Sequence, residues 1–396
     1  MANPQVIIDL INGFRRSKIM FAAARLGIFD ILANTPKPQQ GLSAVEIANQ
    51  VPFPDRERVQ KCSVDGLERL LRACVSIELL EVTSHAYDTT STGHAGDPQL
   101  FILTPLARTY LTTTSPKTLT GYIAHSNDVL YKLWSNLESS VVTGHACWDE
   151  SFGDLDNHTT TTATTPPVPS RDRIFDNIYH GPDGVRRFMR AMDSVARVSA
   201  PHVLAQLDSS WIRTLVDLGG STGALAEAFV QANPQIGAIV VDMPQVTRLA
   251  EQMMHEEPES VVPADVKKRI HFQTANFFTE PDAVPSGNAY LLSRILHDWD
   301  DATCAELLRL LYGKLPGAEA RGKGDRAGII VCDMLLMPNH TGPWNAVAQD
   351  VNMLVQTNGR ERSLEEIRGL LEGAGFVQVQ GWRTEGMLDV VIGFKV

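Results

Sequence analysis

From Arg213 onward, short apolar runs alternate with segments of helical periodicity, and this alternation leaves few folds open. The candidate strands are Thr214–Leu218, Ala238–Asp242, Ile270–Gln273, Ala289–Ser293, Gly328–Asp333, Val377–Gly381 and Met387–Lys395. Between them lie stripes such as Cys304, Leu307, Leu308, Leu311 and Leu315. Ser363-Leu364-Glu365-Glu366 is a capping-box signature that opens another helix, carrying Ile367, Leu370 and Leu371. The pattern predicts an α/β unit: a Rossmann-like, doubly wound, mostly parallel seven-stranded sheet. The last two strands lack a crossover helix, so they should form an antiparallel C-terminal edge.

The first part of the chain reads differently. Val6, Ile7, Leu10, Ile11 and Phe14 share one helical face, Ser43-Ala44-Val45-Glu46 caps a short helix, and Leu67, Leu70, Leu71, Cys74 and Val75 make a further stripe. Two short strands, Leu79–Val82 and Leu100–Leu103, flank a polar tip at Asp88–Asp97. Helices followed by a two-stranded wing form a winged-helix pattern, whose usual reading is DNA binding. Here Asp55–Arg72 mixes acids and bases almost evenly, which favours dimerisation or packing instead. The expected domains are an all-helical winged-helix dimerisation domain at 1–117, its wing aside, a helical connector at 118–210, and a cofactor-binding domain at 211–396. Within the connector, the Thr- and Pro-rich stretch 151–173 reads as a mobile surface loop.

Composition excludes several classes. A net charge of −11 without a Lys/Arg cluster argues against nucleic acid as the main partner. No apolar stretch approaches a membrane span, and the N-terminus lacks the pattern of a secretory signal. The 5 cysteines are scattered without CxxC spacing, which disfavours a disulfide framework or a metal site and fits a reducing cytoplasm.

Two motifs carry chemistry. Asp217-Leu218-Gly219-Gly220-Ser221-Thr222-Gly223 follows a strand and opens a helix, where glycines permit a tight turn and close approach of a ligand. Asp242 ends the next strand, where a carboxylate can accept hydrogen bonds from both hydroxyls of a ribose. The second motif, Leu296-His297-Asp298-Trp299-Asp300-Asp301, places His297 at the end of the apolar run beginning at Ala289. Ligands of open α/β sheets bind outside such strand ends, so His297 is a candidate general base for group transfer to a weakly acidic hydroxyl. An acid on its other ring nitrogen would fix the tautomer, and Asp333 and Glu361 are the candidates.

These motifs, in this order, resemble the small-molecule S-adenosylmethionine-dependent O-methyltransferases of the plant caffeate and flavonoid type and their fungal secondary-metabolite relatives. VDLGGSTG resembles the family's VDVGGGTG, VDMPQV its FDLPxV, LHDWDD its HDWxD, and GRERSLEE its GKERTxxE; AAARLGIFDIL and FILTPLA resemble its N-terminal dimerisation domain. The resemblance implies methylation of a phenolic or polyketide-like hydroxyl, with His297 as base and Asp333 and Glu361 as its bracketing acids. It implies a cofactor held by Gly219, Gly220, Gly223, Asp242, Met243, Asn276, Phe277, Ser293 and Arg294. Phe188, Met192, Asp298, Met353 and Thr357 would line the acceptor pocket, with His125 and Trp134 nearby, and the chain would form a homodimer through its N-terminal domain. Departures are Asn276-Phe277 where the family often has Asp-Met, Ser293 where plant members carry a lysine, and His125 itself. An alternative is a pericyclase or dehydratase on the same scaffold that binds the cofactor without transferring methyl.

Overall fold

The computed structural model describes residues 3–36, 38–52, 62–83, 99–153, 173–179, 181, 183–255, 262–320, 322, 324–357 and 359–396, with only the backbone at 173 and 174. Most of the Thr- and Pro-rich stretch, the Asp88–Asp97 tip and part of the charge-mixed segment lie outside the described residues. The chain divides into two units, Met1–Asn127 and Asp128–Val396.

In the first unit, helix Gln5–Arg25 is longer than its opening stripe indicates. Three short strands, β1 (Leu42–Ser43), β2 (Leu80–Val82) and β3 (Leu100–Leu103), form an antiparallel sheet in the order β1-β3-β2. The wing is therefore three-stranded and the unit is not purely helical; β1 is too short to leave a periodic signal. Ser43 ends β1 and caps the next helix in a full capping box with Glu46. Ile28, Phe29, Ile47, Leu71 and Phe101 are buried in one core.

The second unit is built on a sheet in the order β6-β5-β4-β7-β8-β10-β9. Its strands are β4 (Thr214–Leu218), β5 (Gly237–Asp242), β6 (Ile270–Thr274), β7 (Ala289–Ser293), β8 (Ala327–Cys332), β9 (Val377–Trp382) and β10 (Val390–Lys395). Strands β4 to β8 pair in parallel, and β10 is antiparallel to both β8 and β9. All of β8, and β7 up to Leu292, are buried, as expected for parallel strands covered on both faces. The chain runs outward from β4 in one direction through β5 and β6, and in the other through β7 and β8. The switch point between β4 and β7 is where such sheets open a crevice at their C-terminal strand ends.

One expectation is corrected. His297 does not end a strand: β7 stops at Ser293, and His297 sits on the short 3-10 turn Leu296–Asp298. The cause is local. Arg294 takes a left-handed backbone, φ 57°, and its N–H donates to the Cys332 carbonyl at the end of β8. The extended geometry ends there although the apolar sequence continues.

Candidate active site

The C-terminal ends of β4, β5, β6 and β7 converge on one cavity. From the strand ends come Gly219, Gly220, Asp242, Met243, Asn276, Phe277, Ser293 and Arg294, together with Asp298 from the 3-10 turn. Helix Gly184–Leu204 adds Phe188 and Met192. These predicted residues are thus brought together. Gly223 (φ 75°) instead caps the helix Ala224–Ala232.

The glycine loop is held by its backbone. Gly219 donates to the Val241 carbonyl at 2.7 Å, and Ser221 donates to Asp242 Oδ2 at 2.9 Å. Asp242 Oδ1 accepts the Met243 N–H at 2.8 Å. Each carboxylate oxygen of Asp242 thus takes one backbone donor and keeps acceptor capacity for a ligand. Burial pushes the Asp242 carboxyl up to about 6, and burial together with the nearby Asp242 pushes Asp217 up to about 7. Gly219 is left-handed, φ 69°, and a Cβ there would collide with the Ile295 side chain. Ser221 is also left-handed, φ 52°, without being glycine. Its hydroxyl is buried with no hydrogen-bond partner in the protein.

His297 is 3% exposed and lies behind the cavity wall. Its Nδ1 is 2.7 Å from Glu361 Oε1, and its Nε2 is 3.7 Å from Oδ1 of the wall residue Asp298. Of the two candidate acids, Glu361 makes the hydrogen bond. Asp333, just past β8, contributes a charge to the cluster. Burial lowers the imidazole pKa, while Asp298 opposes that and Arg294 reinforces it. Burial pushes Glu361 up to about 8, against the pull of Arg294, and pushes Asp298 and Asp333 each up to about 6. The two nearest partners therefore compete for one proton along the 2.7 Å contact.

Unpartnered atoms gather here. Asp217 Oδ1, Ser221 Oγ, Arg294 Nε, Asp333 Oδ1 and Glu361 Oε2 are buried without hydrogen-bond partners in the protein. Such groups are costly and need an explanation, and a polar ligand or ordered water in the crevice supplies one.

Three expected pocket residues sit elsewhere in this unit. Trp134 Nε1 donates to Asn352 Oδ1 at 3.0 Å, and Asn352 donates to Gln356 Oε1 at 3.1 Å. Met353 and Thr357 are each 2% exposed, and the Thr357 hydroxyl donates to the Met353 carbonyl at 3.3 Å. None of the three lines the cavity. His125 is buried in the N-terminal unit. Sequence reading missed the aromatic wall: Phe175, Tyr179, Phe278 and Trp299 also line the cavity. Tyr179 stands between Phe175 and Phe188, each 5.8 Å away between centroids, and Trp299 meets Phe278 at 4.8 Å. Burial, with Asp242 and Asp298 close by, raises the Tyr179 phenol above its ordinary range. Phe175 and Tyr179 fall in a helical segment with no motif, so only tertiary packing reveals them.

Comparison with known proteins gives the family. Residues 134–377 match the O-methyltransferase domain and residues 8–113 the O-methyltransferase dimerisation domain, so the chain belongs to the O-methyltransferase family. Acetylserotonin O-methyltransferase of Bos taurus is 33% identical over 97% of this chain and 95% of its own length. A phenazine O-methyltransferase of Lysobacter antibioticus is 26% identical over 98% of this chain and 94% of its own length. The crystal structure of human N-acetylserotonin methyltransferase in complex with S-adenosylmethionine superposes with a TM-score of 0.81 at 31% identity, covering 99% of this chain and 97% of that one. The pericyclase or dehydratase alternative finds no support in these relatives.

Proposed function

We propose that the chain methylates a hydroxyl of a small aromatic metabolite, phenolic or polyketide-like, using S-adenosylmethionine, with His297 as the general base. The observation that carries this reading is the His297–Glu361 contact at 2.7 Å, with the opposite ring nitrogen turned toward the cavity-lining Asp298.

Bound S-adenosylmethionine supplies an electrophilic methyl group on a sulfonium. The protein must supply a proton acceptor, because a phenol with a pKa of about 10 is mostly protonated at neutral pH. When Nδ1–H donates to the Glu361 carboxylate, Nε2 carries the free lone pair and can take the hydroxyl proton. Glu361 then stabilises the imidazolium. Asp333 adds negative charge to the cluster, and Arg294 pulls the carboxyls of Asp333 and Glu361 down against their burial.

The residues fit the cofactor. Asp242 retains acceptor capacity for a ribose, Gly219 leaves no side chain between backbone and ligand, and the buried Ser221 hydroxyl awaits a partner. Gly220, Met243, Asn276, Phe277, Ser293 and Arg294 complete that side, and Gly223 aims the following helix. Phe188, Met192 and Asp298, with the aromatic wall, form the acceptor side, which suits a planar ring. The acceptors named for the relatives, acetylserotonin and phenazine, are aromatic too. His125, Trp134, Met353 and Thr357 enter the reading only through the family resemblance.

We also read the chain as a homodimer. Val6, Leu10 and Ile11 are 62%, 72% and 63% exposed on helix Gln5–Arg25, inside or beside the segment that matches the dimerisation domain. Among the described residues no helix is long and apolar enough to cross a membrane.

Incubation with methyl-labelled S-adenosylmethionine and a panel of hydroxylated aromatics, including N-acetylserotonin and a hydroxyphenazine, tests the reaction. Labelled ether and S-adenosylhomocysteine should appear in equal amounts. An unlabelled, rearranged or dehydrated product would sink the reading.

The Ser221 hydroxyl gives a second expected result. Ser221→Gly should relieve about 1 kcal/mol of backbone strain and hold or raise the melting temperature of the ligand-free protein. It should also weaken S-adenosylhomocysteine binding about fivefold through the lost hydrogen bond. Tighter binding in the variant would show that the hydroxyl does not meet the cofactor.

A further inference from the structure

Helix Gly184–Leu204 contributes to more than the acceptor wall. Phe188, Met192 and Val195 line the cavity, but Asp193, one residue past Met192, turns to the glycine loop. Asp193 Oδ1 accepts the Thr222 hydroxyl at 2.8 Å, and Oδ2 accepts Arg197 Nε at 2.8 Å. Arg197 Nη2 then forms an ion pair at 3.1 Å with Glu227 Oε2, on the helix that the loop opens. The carboxylates and guanidinium are shielded, with side chains 20%, 27% and 8% exposed for Asp193, Arg197 and Glu227.

The loop needs such a tether. Gly219, Ser221 and Gly223 are all left-handed, so the segment has no repetitive hydrogen bonding of its own. On the sheet side it is held by Gly219 N–H to Val241 and Ser221 N–H to Asp242. Thr222 is its hold on the helix side, and Thr222 itself lines the cavity.

We propose that Asp193 is a positioning residue that locks the glycine loop, through Thr222, against the acceptor-side helix. Cofactor affinity then depends on Asp193 although it is absent from the cavity wall. The inference rests on reading the cavity as the S-adenosylmethionine site. A hydroxyl-to-carboxylate bond shielded from water is among the stronger hydrogen bonds, and Arg197 aims the carboxylate while Glu227 balances Arg197. Fixing the loop in advance removes an ordering cost from each binding event.

S-adenosylhomocysteine titration by calorimetry on wild type, Thr222→Val, Thr222→Ser, Asp193→Ala and the Thr222→Val/Asp193→Ala double variant tests the proposal, with the melting temperature of each protein measured alongside. Thr222→Val and Asp193→Ala should each raise Kd about tenfold. Thr222→Ser should bind as wild type, and the double variant should be no weaker than the weaker single one, because one interaction is removed twice. Should Asp193→Ala fail to fold, the Val and Ser variants at 222 carry the test, since they leave the Asp193–Arg197–Glu227 chain intact. A purely structural role would lower melting temperatures and leave Kd unmoved, and that result overturns the inference. If wild type itself fails to bind S-adenosylhomocysteine, the cofactor reading falls and takes the inference with it. If wild type binds and Thr222→Val binds equally well, only the inference falls.

Discussion

Replacing His297 with alanine is expected to lower kcat by about 10²–10⁴-fold while S-adenosylhomocysteine binds as tightly as before. The separation follows from placement. The groups proposed to hold the cofactor come from the strand ends, whereas His297 lies behind the wall with its ring between Glu361 and Asp298. The pH profile should show the same machinery. His297 can act as base only when Nδ1–H donates to an ionised Glu361, because a protonated Glu361 would donate to Nδ1 and leave the proton on Nε2. Burial raises Glu361 to about 8, so its ionised form gains population as pH rises toward that value. Turnover should therefore climb through neutral pH and level off above about 8. The imidazole, lowered by burial, stays neutral throughout that climb. Glu361→Gln can still accept from Nδ1–H but cannot ionise, so its rate should be lower and its climb absent. Near-normal turnover in His297→Ala, or an unchanged climb in Glu361→Gln, would refute the base assignment.

What was legible in the sequence was what is local or strongly patterned. The strands β7 and β8 stand out because burial on both faces makes them nearly continuous apolar runs. The glycine loop and Asp242 were legible because a turn after one strand and an acid at the end of the next have fixed places at a switch point. The sequence places His297 on the wrong element, because nothing in Ile295-Leu296 announces that Arg294 turns left-handed. Met353 and Thr357 show the limit of periodicity. They are four residues apart and share a helical face, yet the sequence cannot say whether that face meets a cavity or, as here, a buried hydrogen-bonded cluster with Gln349. The aromatic wall and the Asp193 network join segments far apart in sequence, so no window of residues contains their signal.

Arg362, which the sequence marks only as part of the GRERSLEE motif, joins distant segments in the same way. Its side chain is 2% exposed and grips the turn that carries His297. Nη1 donates to the Leu296 carbonyl and Nη2 to the Trp299 carbonyl, both at 2.7 Å, while Nε donates to Asp301 Oδ1 at 2.9 Å. Gly359, from the same strip, packs so closely on the His297 carbonyl that no side chain would fit. The strip from 359 to 362 thus supplies both the acid that orients the imidazole and the clamp that holds its backbone. Arg362→Ala leaves two buried carbonyls without their charged donor. The expected cost is about 3 kcal/mol of stability, seen as a melting temperature lower by several degrees. Turnover should fall as well, since the His297–Glu361 contact depends on the turn. Arg362→Lys should recover only part of either loss, because an ammonium cannot reproduce the planar fork that reaches both carbonyls. Thermal unfolding and initial rates on the two variants decide the matter. An alanine variant that melts with wild type would show that the turn holds itself, and that the guanidinium merely fills the space behind it.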